Sequence, residues 1–193
     1  MGRAGCIALA LLLAGACAFG SDKMLFGAGD SVQPFADGAR FTWSASGGER
    51  FDAEFRLETD GHYTIAPLNG EAPLSGVLFV AIGSTPEEDY VAQLRLSSDS
   101  EGVIFAFLWR TPTGYRAVLD PGRLIPDDDL AAADPYCTWQ TYQSCGIARR
   151  EDVFAVYCAL IYDRFVLGGV EPVSYIDLLL PDADGAPKRR GGL

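Results

Sequence analysis

The sequence predicts a mainly β fold of the α+β type: an antiparallel seven-stranded sandwich or partly closed barrel with a C-terminal helix. Three observations carry that reading. Between residues 39 and 120, short runs alternate apolar and polar side chains at period two, and turn residues separate them. Two of those runs are apolar on both faces, as strands between two packed layers are. Behind them, residues 149–167 carry apolar side chains at helical spacing.

The elements follow in order. Residues 40–44 set Phe41 and Trp43 on one side, and Ser46-Gly47-Gly48-Glu49 makes the turn. In residues 51–58, Phe51, Ala53, Phe55 and Leu57 alternate with Asp52, Glu54, Arg56 and Glu58, giving one dry and one charged face. Asp60-Gly61 is a two-residue hairpin signal leading to Tyr63 and Ile65. After a Pro- and Gly-rich loop, residues 77–82 are apolar throughout. Residues 89–96 return to alternation, with Tyr90, Ala92, Leu94 and Leu96 on the dry face and the other face wet. Residues 103–109 form the second two-sided apolar strand, and Thr111-Pro112-Thr113-Gly114 turns it into residues 115–119. Alternating strands suit antiparallel sheets with one wet side, and the two dry ones suit a sandwich or barrel.

Pro121-Gly122 ends the β region. Pro126 and the acids Asp127, Asp128 and Asp129 open a short helix through Ala133, the carboxylates sitting on the positive end of its dipole. The main helix spans residues 149–167. Phe154, Tyr157, Cys158, Ile161 and Phe165 share a stripe, Asp163 and Arg164 lie off it, and Gly168-Gly169 stop it. The apolar run 153–162 also fits a buried strand, but its length favours helix.

The first residues read as an address. Arg3 supplies a positive start, residues 7–13 are apolar, and Ala14-Gly15-Ala16 puts small residues before Cys17. The apolar run is far short of the roughly 20 residues that span a bilayer. This layout resembles the signal peptide of small bacterial lipoproteins and exported envelope proteins. The resemblance covers only the first twenty residues, and Ala14 stands where a leucine is usual. It implies that residues 1–16 are removed and that Cys17 is lipidated. Ordinary cleavage after Ala16 or Ala18 is the alternative, giving a soluble periplasmic or secreted protein. Residues 17–38 then read as a linker, 39–180 as one domain, and 181–193 as a flexible polar tail.

Composition narrows the partners. Lys and Arg number 15 against 26 Asp and Glu, a formal charge of −11. Such a surface repels phosphate backbones, so nucleic acid is not expected as a partner. The partner is expected to be an envelope protein or a small ligand, with membrane contact only through a lipid on Cys17. Export also suits disulfides. Among Cys137, Cys145 and Cys158 at most one can form. Loop entropy gives about 2.6 kcal/mol for Cys137–Cys145 and about 3.4 kcal/mol for Cys137–Cys158, too close to decide. Geometry leans toward Cys137–Cys145, whose short loop closes without crossing a helix.

Chemistry-bearing motifs are sparse, and neither a cofactor nor a metal site is implied. His62 is the single histidine and follows a turn, where an exposed polar residue is ordinary. Gly27-Ala28-Gly29 lacks the third glycine of a dinucleotide loop. Asp127 to Asp129 are adjacent, whereas calcium loops alternate their ligands, and Asp182 to Gly185 lacks the distal glutamate. Asp52, Glu54 and Glu58 share a strand face at about 7 Å spacing, which would suit a carboxylate-dependent hydrolase but equally a solvated face. Tyr136, Trp139 and Tyr142 gather in the cysteine loop, where they either offer a contact patch to a ligand or partner or plug the end of the sheet.

The expected function is therefore non-catalytic binding in the cell envelope. A lipocalin-like carrier of a small apolar ligand is the alternative. The Gly-x-Trp signature of that family is missing, because Gly38 and Trp43 stand five apart.

Overall fold

The structure is a computed structural model that describes residues 19–83, 89–95, 102–119, 130–139 and 144–181. Its strands are β1 (Phe19–Ser21), β2 (Arg40–Ala45), β3 (Arg50–Leu57), β4 (Tyr63–Pro67), β5 (Leu74–Ala81) and β6 (Asp89–Arg95). They continue as β7 (Val103–Thr111), β8 (Gly114–Val118), β9 (Thr138–Trp139), β10 (Cys145–Gly146) and β11 (Ile176–Leu179). The seven strands expected between residues 39 and 120 are β2 to β8. They run as an unbroken meander, each antiparallel to the one before. β11 then enters between β8 and β2, antiparallel to both, and sets Leu178 opposite Tyr115 on one side and Trp43 on the other. Eight strands thus close a barrel, which removes free edges from the central sheet.

Closure needs a tight approach. A β-carbon at Gly114 would collide with the carbonyl of Leu178, so only glycine fits at that corner. The β3–β4 connection is one residue longer than the expected two. Glu58 N donates to the carbonyl of His62 at 2.8 Å, so Thr59, Asp60 and Gly61 form the loop, with Gly61 at φ 83°.

Alternation splits the apolar side chains into two cores. The inner one is a mass of rings. Phe35 stacks on Phe55 at 4.1 Å, Phe41 stacks on Phe55 at 4.3 Å, and Phe35 meets Phe79 and Tyr115 edge-on at 5.3 and 5.4 Å. Phe35 comes from the segment before β2, and its carbonyl accepts the hydroxyl of Tyr63 at 2.5 Å. Burial raises the Tyr63 phenol above its ordinary pKa. Each such buried ring is worth about 2–3 kcal/mol of transfer free energy.

The outer core lies on the far face of β5, β6 and β7. A helix, α1 (Arg150–Val156), packs there and runs on as a π-helical segment, Tyr157–Leu167. Trp109 stacks on Phe165 at 6.2 Å, and Phe107 lies 5.8 Å from Tyr157. The N-terminal strand completes this layer. β1 pairs with the start of β7 while β8 pairs with its end, so the two lie end to end along one edge. Arg149 holds Asp152 through two hydrogen bonds of 2.8 and 2.7 Å as α1 begins.

Four expectations change here. β6 is dry on both faces, because its second face lies under the N-terminal segment, and Gln93 is completely buried there. Residues 17–38 read as a linker in the sequence, yet the described ones carry β1 and send Phe26 into the outer core and Phe35 into the inner one. Cys158 is exposed rather than on the buried stripe. The buried side of the helix is centred on Val153, Val156, Tyr157, Leu160 and Ile161, and one step beyond Tyr157 makes roughly a quarter turn toward solvent. The described part of the expected short helix is a single 3-10 turn, Ala131–Ala133, and Asp127 to Asp129 lie outside the described residues.

Candidate functional site

The helix and N-terminal segment cover β5 to β7 and the outer core reaches Val118 at the end of β8, so among the described residues the barrel's open wall is the outer face of β11, β2, β3 and the start of β8. Period two puts Arg40, Thr42 and Ser44 of β2 on that face, opposite Glu54, Asp52 and Arg50 of β3. Here the charged residues of the alternating strands are gathered. Arg116 grips Asp177 at 2.7 and 3.0 Å, reaches Glu171 at 3.0 Å and lies 3.8 Å over the ring of Tyr175. The Asp177 carboxylate chiefly raises the guanidinium pKa. Glu54 sits between Arg56 at 3.1 Å and Arg40 at 3.4 Å, and those two, Arg56 foremost, hold its carboxyl below the usual range.

A cleft of about 560 Å³ opens on this wall. Its polar floor is the Thr42–Asp52 pair, whose side chains bond at 2.7 Å. Arg40 and Arg50 flank the floor, and Leu68, Leu179 and Pro181 supply apolar lining. The volume lies within the range of small-molecule sites. Arg50 has no carboxylate partner among the described residues, and Leu68 is 47 % exposed. Of this lining only Asp52 is a candidate from the sequence alone, as one of the carboxylates sharing a strand face. The alternation in residues 51–58 marked the face as charged, but the contribution of β11 needs the strand pairing.

The other residues that the sequence singles out lie elsewhere, apart from Glu54 on the same wall. Cys137 and Cys145 form the disulfide, Cα atoms 5.0 Å apart, and Cys158 is free. Tyr136 and Trp139 are half-buried and pack against the outer core. The Trp139 indole N–H donates to Asp134 at 2.6 Å, and Trp139 stands opposite Cys145 in the β9–β10 pair. Cys17 and Tyr142 lie outside the described residues, as do Asp182 to Gly185. His62 is largely covered, and its Nδ1 is 3.1 Å from Asp60 without an aligned hydrogen bond. The backbone N–H of His62, donating to Asp60 at 3.1 Å, is the main reason that carboxyl titrates low. Asp52 and Glu54 are engaged by Thr42 and by two arginines, so the shared-face carboxylates of β3 are tied into the wall.

Among the described residues no group of three or more His, Cys, Asp or Glu is placed to hold a metal ion, and no helix is long and apolar enough to cross a membrane. No protein-family model, curated protein or solved structure matches this chain.

Proposed function

We propose that this chain is an exported, non-catalytic cell-envelope protein that binds a partner or small ligand on the outer wall of its barrel. The observation that carries the binding half is the filled interior. With Phe35 stacked on Phe55 and braced by Phe79 and Tyr115, the barrel is a rigid scaffold and its accommodating chemistry lies outside. The disulfide between Cys137 and Cys145 supports work in an oxidising compartment. The export half rests on the small residues before Cys17, with Cys17 as the lipid-bearing residue. The cysteine loop with Tyr136, Trp139 and Tyr142 is a second place where an envelope partner would dock.

Intact mass spectrometry of the protein taken from its native cells tests export. The expected mass lacks residues 1–16 and carries a diacylglycerol-type addition on Cys17. A full-length, unmodified, fully reduced chain would overturn the proposal.

A lipocalin-like carrier is the second reading, and the closed eight-stranded barrel favours it. In that reading Phe35 leaves the interior to admit an apolar ligand. Binding of an apolar dye inside the unsubstituted barrel, with loss of the Phe35–Phe55 contact, would establish it over the outer-wall reading.

A further inference from the structure

We infer that the cleft on the open wall binds an amphiphilic carboxylate, with its head group on Arg50 and its apolar tail between Leu68 and Leu179. This rests on the reading that binding takes place on the outer wall, and it names the ligand class.

Three features of the cleft agree on that chemistry. First, the lining carries two guanidinium groups against one carboxylate, in a chain whose formal charge is −11. The carboxylate, Asp52, already receives the Thr42 hydroxyl at 2.7 Å. Arg40 shares Glu54 with Arg56, whereas Arg50 has no carboxylate partner among the described residues. A guanidinium with unengaged donors is the group best shaped to take a carboxylate through two parallel hydrogen bonds. Repulsion from the rest of the acidic surface is screened beyond about 8–10 Å at ordinary ionic strength, so the nearby arginine decides.

Second, apolar side chains flank the polar floor. Leu179 stands opposite Thr42 across the β11–β2 ladder, and the N–H of Leu68 bonds to the Asp52 carbonyl at 2.8 Å. A chain crossing the Thr42–Asp52 pair therefore meets a leucine on each side. Leu68 is 47 % exposed and Leu179 is half-buried outside both cores, so covering them removes apolar surface from water. Third, the arginines are staggered. Arg50 is opposite Ser44 and Arg40 is opposite Glu54, four residues away, or roughly 14 Å along the strand. One head group reaches one of them, and Arg50 is the one without a carboxylate partner among the described residues.

The test is a titration of the isotopically labelled protein, followed by backbone amide resonances. Octanoate is the probe, acetate supplies the head without the tail, and octyltrimethylammonium supplies the tail with the opposite charge. Octanoate is expected to shift the amides of Thr42, Asp52, Leu68 and Leu179. Acetate and the ammonium should bind at least tenfold more weakly. Arg50→Glu should weaken octanoate at least tenfold and Leu68→Ser about threefold, with melting temperatures unchanged because both side chains are exposed. Equal binding of acetate or the ammonium would overturn the inference, as would octanoate shifts confined to other faces or an affinity indifferent to Arg50→Glu. Octanoate shifts centred on the interior ring of Phe35 would overturn the outer-wall reading itself, whereas outer-wall shifts indifferent to Arg50→Glu would overturn only the ligand class, so the two fail separately.

Discussion

Replacing Gln93 with leucine is expected to loosen the N-terminal segment and cost about 3 kcal/mol. Gln93 is fully buried on the outer face of β6. Its carbonyl oxygen accepts from the N–H groups of Leu25 at 2.9 Å and Phe26 at 3.1 Å, and its amide nitrogen donates to the Phe26 carbonyl at 3.0 Å. One side chain thereby satisfies three backbone groups that no strand reaches. Leucine is close in size, so little cavity forms. What is lost is pairing: each buried group left without a partner costs about 1–3 kcal/mol, and the gain from an apolar side chain offsets part of the sum. In a domain of this size that lowers the melting temperature by roughly 6–12 °C. Calorimetry measures the shift, and hydrogen exchange should show the Leu25 and Phe26 amides losing protection before the barrel strands do. A melting temperature within about 1 °C of the parent, or unprotected Leu25 and Phe26 amides in the parent, would refute the reasoning.

Further outcomes follow from the same contacts. Gly114→Ala drives a β-carbon into the Leu178 carbonyl where the barrel closes, and denaturant titration should show a loss of about 3 kcal/mol, the upper end for an overpacked site. Phe35→Ala empties the centre of the inner core and should cost about 3–5 kcal/mol in the same assay. Alkylation of the native protein followed by peptide mapping should mark Cys158 and spare Cys137 and Cys145 until they are reduced, and their reduction should cost about 2.6 kcal/mol of stability. Burial, together with the hydrogen bond from its hydroxyl to Asp89 at 2.6 Å, raises the phenol pKa of Tyr157 in the fold. A raised folded pKa leaves stability intact below the unfolded value of 10.0, and stability then falls as pH rises and only the unfolded chain ionises. Denaturation above pH 10 should show a loss of about 1.4 kcal/mol per pH unit from this group, and Tyr157→Phe should remove that part of the slope.

Period-two patterning reports which faces of a strand are dry, and it located β2 to β8 closely. It is weaker on what makes a face dry. Gln93 and Asp89 made β6 look half-wet, yet a glutamine inside an apolar face is also what a strand shows when another segment's backbone lies against it. β11 carries only a faint signal, since Asp177 is the one polar residue in the run Ile176-Asp177-Leu178-Leu179-Leu180. Only the pairing shows that this short run closes the barrel. Phe19, Phe26 and Phe35 recur in a Gly-rich stretch with no regular period, and their burial depends on surfaces made by residues 55 to 157. The cleft was illegible for the same reason: its lining comes from β2, β3, β11 and the connections beside them, which meet only once the barrel has closed. The disulfide was favoured from loop length and helix geometry, which are local.

The outer-wall reading depends on a barrel that is both closed and filled, and nuclear Overhauser contacts test that directly. Leu178 should show cross-strand contacts to both Trp43 and Tyr115, and the ring of Phe35 should contact that of Phe55. Contacts from Leu178 to one neighbour alone, or a Phe35 ring seen only against solvent, would contradict the account.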